Sequence, residues 1–451
     1  MASEVDVIVI GLGPGGEAAA GKLARAGLSV IGVEARLVGG ECPYYGCIPS
    51  KMMIRAGNAL VEGYRIKELA GQATITPDWS VVSNRIRQEA TDDWDDTVAV
   101  NRLVDSGVEV IRGKAQLTGA NTVNVAGQEY AARKAIIINA GTEPAVPPIP
   151  GLSSLPYWTN REAIATTRVP ESLIVIGGGA IGVELAQAFA RFGSRVSVIE
   201  ASDRLVPLEE PESGAELLKA LEADGVNVTV KAQIKSIEHA DGTFTVRLED
   251  KSLQASQLLI ATGRNTNLGS LGVAALGIDE GVKFLETDEY MQVVPGVYAT
   301  GDITGKGAFT HMSMYQSAIA VAHILETEPR TAEYHAVPRV TFTDPEIGSV
   351  GLTEAQARSA GLSVRVGRAD LPESSRGWLH KAGNSGFIKV VEDTSSGALV
   401  GATSVGPSGG EVLGLLTLAV HARIPVSTLR SMIYAYPTFH RAIESALNDL
   451  Q

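Results

Sequence analysis

The stretch GGECPYYGCIPSK, residues 39–51, holds Cys42 and Cys47, the only cysteines in a chain of 451 residues. Two thiols with four residues between them, set between a glycine pair and a lysine, admit two readings: unreactive core thiols, or a pair that works together. A zinc site is disfavoured. C-x4-C is not the C-x2-C of a zinc ribbon, and no second cysteine pair completes four ligands. CIPSKMMIRAGNAL reads as a helix with Pro49 near its first turn. Cys47 then lies at or just before a helix N-terminus, where the macrodipole favours the thiolate and lowers the thiol pKa. Across a turn, Cys42 and Cys47 can close a disulfide where the geometry allows it. So few cysteines in so long a chain point to a reducing compartment, where a cysteine pair is more often catalytic or metal-binding than structural.

The elements before this turn form a βαβ unit. VDVIVI reads as a buried strand, GLGPGGEAAAGKLARAG as a glycine turn and helix, and LSVIGVE as a second strand ending at Glu34. Gly11, Gly13 and Gly16 form G-x-G-x-x-G. The first glycine makes the tight turn, the second lets a pyrophosphate approach the backbone, and the third packs helix on strand. Glu34, 23 positions after Gly11, is placed to accept hydrogen bonds from ribose hydroxyls and to repel a 2′-phosphate. The pattern recurs. Gly177, Gly179 and Gly182 open a second unit, and Glu200 again follows the first glycine by 23. One such loop alone is as well explained by a tightly packed helix cap. Two copies, each in a full unit with its acidic residue, point to two dinucleotides. Glu200 with Asp203 favours NADH over NADPH; Arg204 is the contrary feature.

An acidic helical stretch, TDDWDDTVAVNRLVDSG, and alternating strands lie between the two units. A proline-rich link ends the first segment at residue 148, and LLIATGRNTN ends the second at 267. VPGVYATGDITG reads as a strand ending at Asp302, followed by a helix. From Pro338 the texture becomes antiparallel strands, with helices over 410–423, 427–433 and 437–449. The reading is an α/β chain of two Rossmann-like domains with a C-terminal α+β domain: 1–148, 149–267, 268–335 returning to the first, and 336–451. A net charge of −13 argues against nucleic acid or an anionic membrane as partner. No apolar run reaches membrane-spanning length, and the N-terminus lacks a signal-peptide pattern, so a cytoplasmic location is expected.

In GGECPYYGCIPSK, the two glycine loops, AGTEPAVPPIPG, ATGRNTN, VYATGDITG, PRVTFTDPEIGSVGLTE and YPTFHRAIESAL, the chain resembles the class I flavoprotein pyridine nucleotide–disulfide oxidoreductases, the group of lipoamide dehydrogenase, glutathione reductase and mercuric reductase. The resemblance covers essentially the full length. It implies that Gly11, Gly13, Gly16 and Glu34 bind the ADP half of FAD, with a backbone contact near Ala115. Asp302 would hold the ribityl chain, and Thr310 and His311 would lie along the flavin. Gly177, Gly179, Gly182, Glu200 and Gly263 would line the nicotinamide dinucleotide site. Cys47 would face the flavin, and Cys42 would be the interchange thiol that meets a disulfide or dithiol substrate. Lys51 would reach the flavin N5 and pair with Glu184. The C-terminal domain would build a homodimer with the active site shared between subunits. In isolation Lys51 reads as a solvated helix residue, Asp302 as a turn former and His311 as a core histidine; the shared spacing argues otherwise.

The C-terminal phrase departs from the family. Thiol-substrate members carry H-P-T-x-x-E, whose His is the base for the interchange thiol and whose Glu orients it. Here Tyr436 replaces the His and Arg441 the Glu. A phenol is a poor base near neutral pH but can donate a proton. His440, four positions after Tyr436, shares its face if both lie in one helical turn, and otherwise is a surface residue. Arg441 reads as a phenolate or anion partner, or as a solvated charge. Tyr44 and Tyr45 stand where lipoamide dehydrogenases carry small and amide residues, so they either narrow the substrate channel or fill the dimer core. The leading expectation is a disulfide reductase or dithiol dehydrogenase with an unusual substrate. The alternatives are reduction of a metal ion, a quinone or dioxygen, and a flavin redox sensor with little turnover.

Overall fold

A run such as VDVIVI, apolar on both sides of its pleat, is stable only when covered on both faces. It lies inside a parallel sheet. The computed structural model describes every residue except Met1, Ala2 and Pro329. The chain divides into two units: Met1–Pro49, Asn84–Ala145 and Arg264–Tyr334 form one, and Ser50–Ser83, Val146–Gly263 and His335–Gln451 the other.

In the first unit the strand order is Gln292–Val294, Val297–Ala299, Gln128–Ile138, Ser3–Ile10, Val30–Glu34, Val108–Arg112, with Ala115–Gly119 and Thr122–Val125 attached as an antiparallel extension. Val7, Ile8 and Val9 are completely buried. The register pairs Ile10 with Val33 and Ile138, and Ile138 with Ala299. The carboxyl ends of four strands therefore meet at one edge, where open α/β sheets bind their ligands. Helix Pro14–Arg25 packs against helix Thr310–Ile324. Gly15 permits that approach: a Cβ there would stand 2.1 Å from Ser313 Oγ.

The second unit holds a four-stranded parallel sheet ordered Asn227–Thr229, Arg195–Ile199, Ser172–Ile176, Gln257–Ile260, and a three-stranded antiparallel sheet over Ile234–Ala255. It also contains a five-stranded antiparallel sheet ordered Pro338–Thr341, Glu346–Gly351, Ala398–Gly406, Phe387–Asp393, Val364–Asp370. Leu413, Leu416, Ile443 and Leu447 from two C-terminal helices fill one core with Val350, Val390 and Leu399 of that sheet. Buried Lys389 meets Glu210 at 3.0 Å, Glu212 at 2.9 Å and Glu354 at 3.1 Å. Burial alone would lower the Lys389 pKa; the hydrogen bonds to Glu212 and Glu210 prevail and hold it above its ordinary range. The architecture is the expected one, α/β with two dinucleotide-binding folds and a C-terminal α+β segment.

Several local expectations are corrected. The acidic stretch is helical only over Thr97–Asp105; before it lie a π-helical turn, Ile86–Ala90, and a 3-10 turn, Asp92–Trp94. The helix expected over 427–433 is Val426–Arg430, and the one expected over 437–449 starts at Arg441. There the Thr438 hydroxyl donates to the Ala435 carbonyl and closes a turn ahead of the helix.

Candidate active site

Helix Cys47–Leu69 begins at the second cysteine, and the short helix Glu41–Tyr45 carries the first. Gly39 and Gly40, at φ 106° and 69°, turn the chain between the second strand and these helices. Both cysteines are thiols; Cys47 is exposed and Cys42 half-buried. That placement corrects the reading of two buried core thiols. A hydrogen bond to Cys47, burial and the Cys47 charge all push the Cys42 thiol far above its ordinary range. The first proton therefore leaves Cys47, the residue at the helix N-terminus. Cys47 Sγ also lies 3.2 Å from Thr310 Oγ1. His311 is exposed rather than a core histidine, and its ring stacks on Phe309 at 5.1 Å.

The two glycine loops are wired alike. Leu12 N–H donates to Glu34 Oε2 at 2.8 Å, and Arg36 N–H to Oε1 at 2.7 Å. In the second loop Gly178 N–H donates to Glu200 Oε2 and Ser202 N–H to Oε1, each at 2.6 Å. Gly11 has φ 87°, and Gly177 has φ 115°. A Cβ on Gly16 would stand 2.0 Å from the Gly11 carbonyl, and one on Gly182 2.0 Å from that of Gly177. These four glycines are required by the fold. Gly13 and Gly179 are not: a Cβ would meet only Asn139 Oδ1 at 3.5 Å in the first case and nothing within 4 Å in the second. Neither Gly13 nor Gly179 supplies a side-chain cap of its own; in the first loop Asn139 Oδ1 takes the Gly16 N–H instead. A glycine without Cβ at the helix start, with a buried carboxylate at the end of the adjoining strand, fits a dinucleotide at each loop. Gly263, at φ 121°, follows strand Gln257–Ile260 in the same sheet as the second loop, and Ala115 opens an extension strand of the first unit.

Asp302 accepts from Thr142 Oγ1 at 2.8 Å, and Arg264 Nε donates to Thr142 Oγ1 at 2.7 Å. Arg264 also stands 3.9 Å from Asp302 and 3.6 Å from Glu41, beside Cys42. Burial raises the Asp302 pKa, opposed by Thr142 and Arg264. Asn139 Oδ1 accepts from Gly16 N–H at 2.9 Å, and its amide donates to Thr300 and Ser313. Sequence reasoning passed over Thr142, Arg264 and Asn139. Asn139 and Thr142 follow the buried strand Gln128–Ile138 at the ligand edge, a position that flags them without naming their partners; Arg264 follows no strand of that sheet and carries no such signal.

Lys51, four positions along the helix from Cys47 and grouped with the second unit, pairs with Glu184 Oε2 at 2.8 Å and sits 4.7 Å over the Phe342 ring. Tyr436 and His440 do not share a helical turn: both precede the helix, His440 as its N-cap. Instead the Arg441 guanidinium lies 5.8 Å over the Tyr436 ring and pairs with Glu444 at 3.1 Å. Tyr436 is 69% exposed.

Among the described residues no His, Cys, Asp and Glu cluster with metal-binding geometry occurs, and no helix is long and apolar enough to cross a membrane. The family described as pyridine nucleotide-disulphide oxidoreductase matches residues 5–322, and its dimerisation domain residues 337–447. The dihydrolipoyl dehydrogenase of Chlorobaculum tepidum is 33% identical over 100% of this chain and 97% of its own. The mercuric reductase of Acidithiobacillus ferrooxidans is 31% identical over 98% and 82%. Among solved structures, the Cu(II) complex of the HOCl-induced flavoprotein disulfide reductase RclA from Escherichia coli has a TM-score of 0.87 and 26% identity over 99% of each chain. LpdA from Mycobacterium tuberculosis has a TM-score of 0.86 and 25% identity over 98% of this chain and 99% of its own. The chain belongs to the pyridine nucleotide–disulfide oxidoreductases, the flavoproteins that use FAD and a pyridine nucleotide.

Proposed function

We propose that this protein is an NADH-dependent disulfide reductase or dithiol dehydrogenase that works through Cys42 and Cys47, on a substrate other than ordinary lipoamide. The observation that carries the reading is the hydrogen-bonded thiol pair at a helix start, with Cys47 exposed and Cys42 kept protonated. FAD, when bound, supplies two-electron transfer between the pyridine nucleotide and the sulfurs. Gly11, Gly13, Gly16, Glu34, Ala115, Asp302, Thr310 and His311 hold it; Gly177, Gly179, Gly182, Glu200 and Gly263 hold NADH. Lys51, held by Glu184, places a cation at the end of its side chain, and Cys42 exchanges with the substrate. Tyr436 supplies a proton from its hydroxyl, with Arg441 favouring the phenolate, and His440 is the alternative proton carrier. Segments 1–148 and 268–335 serve FAD, 149–267 serves NADH, and 336–451 pairs two copies. Ile433, 96% exposed, and Trp378, 74% exposed, supply apolar surface for that pairing.

The loss of the His–Glu dyad supports a second reading, a metal ion, quinone or dioxygen as acceptor. Relatives named mercuric reductase and a neighbour solved with Cu(II) favour the metal ion among these. Steady-state NADH consumption with a panel of acceptors separates the readings. A Cys42→Ser chain that loses activity toward every disulfide supports the first. Full retention of disulfide reduction by that variant overturns it.

A further inference from the structure

Asp92, Asp93 and Trp94 have φ of 47°, 58° and 61°, three consecutive left-handed residues with no glycine among them. L-residues visit this region singly and at a cost, more so for a bulky side chain. A π-helical turn, Ile86–Ala90, runs directly into this segment. Such irregularities persist where the surroundings impose them, and they cluster at functional sites.

The strained turn delivers Trp94, and Asp96 just beyond it, to the chain between Val38 and Tyr45. Trp94 Nε1–H donates to the Tyr44 carbonyl at 3.3 Å, and the indole stacks on Tyr45 with centroids 6.1 Å apart. Asp96 accepts the Val38 N–H at 2.5 Å while Arg112 grips its carboxylate. Tyr44 is itself buried, its phenol pushed up to about 12 by burial and the charges of Asp96 and Glu17. The chain from Val38 to Tyr45, with Cys42 inside it, is thus pinned at both ends from one short segment. Tyr45 lies three positions after Cys42 in one helical turn, so the indole braces the side of the turn that presents the thiol.

We propose that Trp94 is a positioning residue for the Cys42–Cys47 pair: it holds the Cys42 turn at the distance at which the sulfurs meet, and so raises their effective concentration toward each other. The inference rests on the redox reading of the pair given above. Without the brace the dithiol explores other turn conformations, whereas the disulfide is held by its own bond. Releasing Trp94 therefore favours the dithiol.

The experiment equilibrates the full chain with glutathione and glutathione disulfide, then traps free thiols by alkylation. Each Cys42–Cys47 bond that closes takes one glutathione disulfide to two glutathione thiols, which receive the two cysteine protons. Trp94→Phe, which keeps a ring but loses the N–H, is expected to lower the closure constant by about fivefold, the worth of one ordinary hydrogen bond. Trp94→Ala is expected to lower it by about tenfold, equivalent to about 30 mV. Should Trp94→Ala fail to fold, Trp94→Phe decides. Equal constants in wild type and variants, even with earlier melting, overturn the inference while leaving the redox pair intact. A wild-type chain that closes no bond removes the redox reading and this inference with it.

Discussion

Lys51 Nζ lies 2.8 Å from Glu184 Oε2, and the other oxygen of that carboxylate takes the Phe342 N–H, also at 2.8 Å. Glu184 is buried, and these two donors satisfy its two oxygens. Lys51→Met is expected to cost about 1–3 kcal/mol, read from the denaturant midpoint. If Lys51 acts on the flavin as proposed, the same variant oxidises NADH about a hundredfold more slowly. A loss of stability with unchanged turnover would make Lys51 a strut only.

The glycines separate packing from ligand room. Gly16→Ala and Gly182→Ala each place a Cβ 2.0 Å from a carbonyl oxygen and are expected to lose their loops outright. Gly13→Ala and Gly179→Ala meet no such obstacle. Their stability should fall by no more than about 1 kcal/mol, the preference of a helix cap for glycine over alanine. Gly13→Ala should still release flavin on gel filtration, and Gly179→Ala should raise the KM for NADH.

Thiol titration tests the order of ionisation. The Cys42 pKa is raised by its bond to Cys47, by burial and by the Cys47 charge. As pH rises, Cys47 should react first with iodoacetamide. Cys42 should stay unreactive through pH 10, well above the ordinary thiol pKa of about 8.5. In Cys47→Ala the bond and the charge are gone, and Cys42 should alkylate at lower pH. Mass mapping of the labelled peptide reads the result.

Lys389 predicts a pH window for stability. Hydrogen bonds to Lys389 hold the Glu212 and Glu354 pKa values below the ordinary range despite burial. Their contribution is present above the unfolded carboxylate value, about 4.3, and is lost as pH falls through the folded values. The Lys389 pKa is raised, so its contribution holds below about pH 10 and fades as pH rises through the folded value. Lys389→Met leaves Glu210, 2% exposed, beside an apolar side chain. It should cost about 3–5 kcal/mol at neutral pH and flatten both limbs of the melting profile.

What the sequence reveals is what works at fixed local spacing. The glycine loops, Glu34, Glu200 and the cysteine pair each act within one βαβ unit or one turn, so their order along the chain already carries their geometry. Asn139 reaches Gly16 across 123 positions, and Arg264 reaches Thr142 across 122; no local pattern announces such partners. Trp94 was hidden differently. Its left-handed turn contains no glycine, and the acidic residues around it read as helix. Tyr436 and His440 suggested one helical face because their spacing fits, yet the turn closed by Thr438 intervenes.

The carboxylates of Glu34 and Glu200, proposed above as recognition groups, are also struts, since each ties a glycine turn to the chain two residues beyond itself. If Glu200 meets the nicotinamide coenzyme as proposed, preference between the two coenzymes is not a free variable there. Trading that acid for a neutral or basic side chain, to welcome an extra phosphate, would unmoor Gly178 and Ser202 in the same stroke. An engineered or evolving lineage would have to supply a new acceptor for those amides first, so the route to a changed coenzyme runs through at least two coordinated substitutions.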